Sequence, residues 1–414
     1  MVRQRIHGIL RASERLTGTD MVYLARGGFW LGAAQAGAAA AAFGLSLVMA
    51  RYVSAEVFGS YKFLGSLGAI FGAISLTGFA TSVVRSVARG HGGTVRGAFA
   101  ETLRWSWPGI GVALAVAAYY AVRGNLPYAL AVALIGLALP ITGASSLYTS
   151  YLTGLKNFRL NAGIWTAANL VTVGLTAAAA IWSGKLLWLV VAAYAGSAAA
   201  TYLAYRASLA AVPPVGGDDP ESRNLGRHLS AISFLDTLAA NADKIIVFQF
   251  LGPAATAAYV FAMGIPEQGR ALLKSGARLA VPRMAERPFA ELQATTPKKV
   301  FRFAAAGVVL CAAYAFAAPS IFSVLFPAYV ESAKYSSLLG FAMISALGQV
   351  PMAALSAHAK TRELYRYSAS VASVRIVAHL TLIAAFGMWG AVASTLIGHA
   401  AMFAVPLYLL KRAR

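Results

Sequence analysis

One acidic and three basic residues recur at helical spacing in one apolar stretch of the sequence, and the basic residues could bind an anion. Four residues, which we call the basic stripe, are separated by three, four and four positions: Glu267, Arg270, Lys274 and Arg278. This spacing places them on one face of an α-helix. A guanidinium offers a planar fork to an oxyanion, whereas an ammonium is a compact point charge. The alternative is an intrahelical pair between Glu267 and Arg270, with Arg278 reaching towards polar solvent.

A second group of charges lies earlier in the sequence. Asp236 and Asp243 are seven residues apart and so share a helical face, and Lys244 is adjacent. They could bind a coupling cation. Alternatively, Asp243 and Lys244 could form a charge clasp by pairing with the basic stripe on the neighbouring helix. Asp236 has no adjacent basic residue, so we expect it to be the better candidate for cation binding or gating.

Two histidines could carry protons. Arg375 and His379 are four residues apart, and His399 follows on the next apolar segment. Imidazole changes its charge near physiological pH, which makes proton coupling a hypothesis for these three residues. Hydrogen bonding to a neighbouring helix is the alternative.

These polar residues interrupt an otherwise apolar chain. The sequence is 59% hydrophobic and only 12% charged, and its mean hydropathy is +0.66. Uncharged runs of about 20 residues are long enough to cross a bilayer as helices. We therefore predict an all-α polytopic membrane protein with about twelve spans: 28–50, 60–82, 102–122, 126–149, 160–182, 186–206, 229–251, 255–278, 302–325, 335–357, 366–386 and 389–409.

The basic residues predict the orientation of these spans. When the connectors are assigned to alternate sides, one side receives 29 Lys and Arg and the other receives 5, with Lys244 left inside a span. An excess of Lys and Arg marks the cytoplasmic side, so both termini are predicted to be cytoplasmic. The net charge of +21 therefore does not indicate nucleic acid binding.

A polar linker divides the spans into six and six. Residues 207–228 are rich in Pro, Gly and Asp, which predicts a flexible connection. At an offset of 198 residues, Tyr52-Val53-Ser54-Ala55 matches Phe250-Leu251-Gly252-Pro253 at the first turn of each half. Internal repeats of this kind are typical of transporters, whose two bundles rock about a site. The predicted parts are a basic cytoplasmic segment (1–27), a first lobe (28–206), the linker, a second lobe (229–410) related to the first by a pseudo-two-fold axis along the membrane normal, and a basic tail (411–414).

The sequence offers little for covalent or metal chemistry. Cys311 is the only cysteine, which excludes intrachain disulfides, Cys-based metal sites and haem attachment. We expect no cofactor, no metal and no catalytic residue, and the short connectors leave no room for a soluble catalytic domain.

Several segments resemble one transporter family. Residues 47–61 (LVMARYVSAEVFGSY), 78–85 (GFATSVVR), 242–247 (ADKIIV) and 326–329 (FPAY) resemble motifs of the polysaccharide flippases in the multidrug/oligosaccharidyl-lipid/polysaccharide exporter superfamily. The acidic residue that usually precedes the second motif is absent, and Leu76-Thr77 stands in its place.

The resemblance implies a function. Such a flippase moves an oligosaccharide linked to undecaprenyl diphosphate from the cytoplasmic to the periplasmic leaflet of the inner membrane, for a surface polymer such as exopolysaccharide or lipopolysaccharide. Arg270, Lys274 and Arg278 would then bind the diphosphate. The implied partners are this lipid-linked oligosaccharide, membrane lipids and a polysaccharide polymerase or export machinery, with no nucleic acid. Candidates for contact with the sugar, for which interhelical hydrogen bonds are the alternative, are Gln35, Asn161, Asn169, Asn241 and Gln349.

Two other functions remain open at this point. A cation-coupled multidrug antiporter of the same superfamily would be expected to carry acidic residues in its first lobe, yet the apolar cores of the first six spans contain none. A membrane glycosyltransferase or polymerase of the same pathway would be expected to place catalytic residues in large outer loops, and the outer connectors here are short.

Overall fold

The computed structural model describes residues 21–74, 79–278, 284, 287–358 and 360–413, without the side chains of 21–28, 31, 220–233, 272 and 275–278. The predicted basic segment therefore lies mostly outside the described residues, as do Leu76-Thr77 and Gly78. Within the described residues all regular structure is helical and no strand occurs. This confirms the all-α prediction. The physical reason for the prediction is that a chain in lipid must satisfy its backbone groups within helices or closed barrels.

Fifteen α-helices make up the described chain. The first ten are α1 (Met21–Tyr52), α2 (Ala55–Ile74), α3 (Phe79–Ala88), α4 (Thr94–Arg104), α5 (Trp107–Val122), α6 (Leu126–Ser145), α7 (Leu147–Gly154), α8 (Phe158–Trp182), α9 (Leu186–Val190) and α10 (Gly196–Ala211), with a π-turn at Val191–Ala195. The others are α11 (Pro220–Arg278), α12 (Phe289–Leu325), α13 (Ala333–Leu339), α14 (Gln349–Ala357) and α15 (Thr361–Arg412), with 3₁₀ segments at Pro327–Ser332 and Gly340–Gly348.

Two of these helices are hairpins. In α11 the backbone leaves the helical region at Gly252 (φ 85°), and in α15 it does so at Gly387 (φ 56°). Positive φ favours glycine, and Pro253 suits the first turn of the returning arm. Among the described residues, ten helical stretches are long and apolar enough to cross a membrane, and the two hairpins divide them into twelve segments. The exact number of crossings and the cytoplasmic side of both termini stay predictions.

The contacts between residues group the chain into two compact units. Of the described residues, the first unit contains those within 21–46, 71–182 and 187–231, and the second contains those within 47–70, 183–186 and 232–413. In the first unit, buried Tyr148 and Tyr151 pack with Phe79 and Val83. In the second, Ile246 and Val247 on the first arm of α11 pack against Tyr259 on its second arm. The predicted lobe boundaries are not tested by this grouping and stay predictions.

The start of the predicted flexible linker is docked on the first unit. The Gly92 amide donates to the Val215 carbonyl at 2.9 Å, and the Asp219 amide donates to the Thr94 hydroxyl at 3.1 Å. A Cβ at Gly92 would lie 2.5 Å from the Val215 oxygen, so this approach needs glycine. From Pro220 onwards the linker is helical. Composition alone predicted flexibility because it could not show these contacts.

Candidate functional site

The second unit contains a buried carboxylate surrounded by donors. Asp243 on the first arm of α11 accepts a hydrogen bond from the Tyr259 hydroxyl at 3.0 Å and contacts the Lys244 ammonium at 3.3 Å. Tyr259 lies on the second arm, so the hairpin at Gly252 brings the two together. The Tyr259 oxygen is also 2.7 Å from the Thr395 hydroxyl on α15. Because Tyr259 has one proton and gives it to Asp243, Thr395 donates to Tyr259.

Both predicted histidines are buried and hydrogen-bonded to serines. His379 Nδ1 lies 2.8 Å from the Ser394 hydroxyl across the α15 hairpin. His399 Nδ1 lies 2.9 Å from the Ser345 hydroxyl in the 3₁₀ segment Gly340–Gly348. These are the interhelical bonds of the structural alternative, and proton coupling stays a prediction.

Arg375 on α15 interacts electrostatically with the buried carboxylate and with both histidines. Its guanidinium is within electrostatic range of Asp243, His379 and His399. A Cβ on Gly398 would lie 2.7 Å from Arg375 Cγ, so the glycine makes room for the arginine stem. The structure thus brings Arg375 and His379 within electrostatic range of Asp243, which the sequence did not predict.

The basic stripe begins immediately after a proline. Pro266 has no amide proton, so the Ala262 carbonyl lacks its usual helical donor, and the Ser336 hydroxyl donates to it at 2.7 Å. In the turn that follows, Arg270 donates from Nε to Glu267 Oε2 at 2.9 Å and from Nη2 to Glu267 Oε1. The predicted intrahelical pair is therefore present, and binding of a ligand by Arg270 stays a prediction.

The three other charged residues of the predicted sites differ in their environments. Lys274 is partly buried and engaged with other groups. The side chain of Arg278 lies outside the described part of the structure. Asp236 is exposed although it shares a helical face with buried Asp243.

Tyr367 on α15 connects the stripe to the Asp243 cluster. Its hydroxyl makes a side-chain hydrogen bond with Gln349 on α14, and it lies within electrostatic range of Asp236, Arg270 and Arg375. Two arginines from different helices therefore lie within electrostatic range of one tyrosine inside the second unit. We call Asp243, Tyr259, Arg270, Tyr367 and Arg375 the polar centre.

The polar centre offers hydrogen-bond donors to an anion, and it offers little to a metal. Among the described residues, no group of three or more His, Cys, Asp or Glu is arranged to hold a metal ion. Anion binding is the chemistry that two guanidiniums and a phenol support.

A sequence model described as "Polysaccharide biosynthesis protein" matches residues 24–267, which is more than half of the chain. The chain belongs to this polysaccharide biosynthesis family. The resemblance to polysaccharide flippases is thereby confirmed, and the protein is a multi-pass membrane transporter of the flippase and exporter superfamily. Among curated proteins, none matches the chain.

Solved structures of two kinds of transporter share the fold. The chain is similar to the lipid II flippase MurJ in an inward closed conformation, with 11% identity, a TM-score of 0.60, and coverage of 91% of this chain and 86% of that chain. It is equally similar to an inward-facing multidrug resistance MATE family transporter of the MOP superfamily, with 14% identity, a TM-score of 0.62, and coverage of 90% and 95%. At such identities the likeness shows the fold alone.

The predicted sugar contacts of this family member fall into different environments. Asn161 donates to the Thr149 carbonyl and to the Thr153 hydroxyl, Asn241 donates to the carbonyl of Thr237, and Gln349 binds Tyr367. Gln35 is exposed, and the Asn169 Oδ1 atom is buried without a hydrogen bond. Contact of any of the five with a sugar stays a prediction.

Sequence reasoning missed Tyr259, Thr395, Tyr367, Ser345 and Ser394. Hydroxyl side chains are common in apolar helices and carry no charge, so nothing in the linear pattern distinguishes these five from other Tyr, Ser and Thr residues. Tyr259 lies 198 residues after Tyr61, close to the first turn of each half, so the internal repeat was one signal that pointed to its position.

Proposed function

We propose that this transporter is a flippase that moves an undecaprenyl-diphosphate-linked oligosaccharide from the cytoplasmic to the periplasmic leaflet of the inner membrane. It would do so by alternating access, as one step of surface polysaccharide biosynthesis. The family membership supports the polysaccharide pathway. The observation that supports the substrate assignment is that Arg270 and Arg375, on different helices, are both within electrostatic range of Tyr367 inside the second unit.

The diphosphate is the part of such a substrate that most needs a protein partner. A charged group in hydrocarbon is costly, and two guanidiniums are well suited to bind phosphate oxygens. The side chain of Arg270 is 16% exposed, so charge on this residue is held away from bulk solvent. Lys274 lies one turn further on the same face and would add a second positive charge.

A multidrug antiporter would need the opposite electrostatics. Its cationic substrates would be repelled by two arginines and attracted by acidic groups. Asp243 is the buried carboxylate of the second unit, and its oxygens already contact Lys244 and Tyr259. The contacts within the polar centre therefore favour an anionic substrate.

The test is deletion of the gene followed by lipid extraction. We expect an undecaprenyl-diphosphate oligosaccharide to accumulate on the cytoplasmic side and surface polymer to be lost. The wild-type gene should restore export, whereas Arg270→Ala with Lys274→Ala should insert normally and fail to do so. The matched control is Lys298→Ala with Lys299→Ala, which removes two exposed charges from α12 and should restore export.

Other results would contradict the proposal. Normal surface polymer in the Arg270→Ala, Lys274→Ala strain would remove the stripe from the mechanism. A deletion that changes drug susceptibility alone would favour the antiporter.

A further inference from the structure

Glu267 occupies the guanidinium edge of Arg270 that an anionic ligand would use. Two parallel bonds join them, from Nε to Oε2 at 2.9 Å and from Nη2 to Oε1. This is the bidentate geometry with which arginine also binds phosphate. A carboxylate and a phosphate cannot hold the same edge at the same time.

The two partners differ in their access to solvent. The Glu267 side chain is 43% exposed, whereas that of Arg270 is 16% exposed. Once displaced, the Glu267 carboxylate can therefore be solvated while Arg270 remains in place.

The ion pair of Asp243 with Lys244 lacks this property. The Asp243 side chain is only 8% exposed and is held by both Lys244 and Tyr259. Displacement of Asp243 would leave a buried charge without solvent, which is strongly unfavourable. Of these two pairs, the Glu267 pair is the one suited to exchange.

We propose that Glu267 is an internal competitor that a ligand must displace from Arg270, and that it thereby excludes weakly bound anions. The inference rests on the proposed function. Competition weakens the binding of every anion by the same factor. A single phosphate then no longer binds at useful concentrations. A diphosphate still binds, because it has more charge and more acceptor oxygens. Glu267 thus sets an affinity threshold for the anion site, because it lowers the apparent affinity of every anion that binds to Arg270.

The experiment measures binding of inorganic pyrophosphate and inorganic phosphate to the purified full-length protein in lipid nanodiscs by titration calorimetry. Glu267→Gln keeps the shape of the side chain and removes its charge. We expect both probes to bind about fivefold more tightly, the factor that corresponds to a competing pair of about 1 kcal/mol. Glu331→Gln changes the net charge equally at an exposed position and should bind as the wild type does.

A second comparison distinguishes competition from a general charge effect. In an Arg270→Ala background the guanidinium for which Glu267 and the ligand compete is absent. Adding Glu267→Gln should therefore give no further gain in affinity for either probe. If Arg270→Ala weakens pyrophosphate binding and Glu267→Gln leaves it unchanged or weaker, the competitor role is refuted and the proposed function stands. If neither the wild type nor Glu267→Gln binds pyrophosphate, or if Arg270→Ala has no effect, the anion site itself is refuted.

Discussion

Replacing Tyr259 by phenylalanine removes one hydroxyl from the polar centre and keeps the ring that fills the core. The hydroxyl donates to Asp243 at 3.0 Å and accepts from Thr395 at 2.7 Å, and the tyrosine is 1% exposed. In the variant the Asp243 carboxylate keeps its contact with Lys244 and loses its second donor. Thr395 loses its acceptor in a buried position.

The expected cost follows from these two bonds. A hydrogen bond to a charged group contributes about 1.5–3 kcal/mol and a neutral one about 1 kcal/mol. The free energy of unfolding of the second unit should therefore fall by roughly 3 kcal/mol, which corresponds to a decrease in Tm of about 6–12 °C for a unit of this size.

The single cysteine provides the assay. Cys311 is a free thiol and is 1% exposed, so a thiol-reactive fluorophore labels it when the surrounding helices unfold. Tyr365→Phe is the matched control because Tyr365 is 57% exposed. If Tyr259→Phe melts together with the wild type and with this control, the hydroxyl does not stabilise the second unit and our account of the network is refuted.

Two glycine substitutions test other close contacts. Gly59→Ala would place a Cβ 1.8 Å from the Pro253 carbonyl oxygen, so we expect a loss of at least about 1–3 kcal/mol in the same melting assay, whereas Gly37→Ala, with no atom within 4 Å of its Cβ, should be neutral or slightly stabilising. Gly398→Ala would push its Cβ to 2.7 Å from Arg375 Cγ and should displace the guanidinium; we expect surface polymer export to fall more than the melting temperature does, and normal export would show that the position of Arg375 is not critical.

The sequence was sufficient to predict the class of fold and the location of the charged residues. Lipid accepts only helices or barrels, so uncharged runs of sufficient length predict helices without knowledge of their packing. Spacing by three and four residues also correctly placed Glu267 within reach of Arg270, since both lie on one helix and local geometry determines their distance.

The partners of these charges could not be predicted in the same way. The network of Asp243, Tyr259 and Thr395 joins two arms of one hairpin to a residue more than 130 positions later. The bond between Gln349 and Tyr367 likewise joins separate helices. Which helices become neighbours depends on the packing of small side chains over the whole unit, and this information is not contained in a local pattern.

By itself, the sequence determined that this protein is an all-helical membrane transporter with basic residues in its seventh and eighth predicted spans. Only the tertiary structure decided that Asp243 is buried against a tyrosine, that Arg375 is within electrostatic range of Asp243, and that Glu267 forms two hydrogen bonds with Arg270. The physical reason is that helix formation in lipid is a local response to hydrophobicity, whereas the environment of a charge depends on side chains brought together from distant helices.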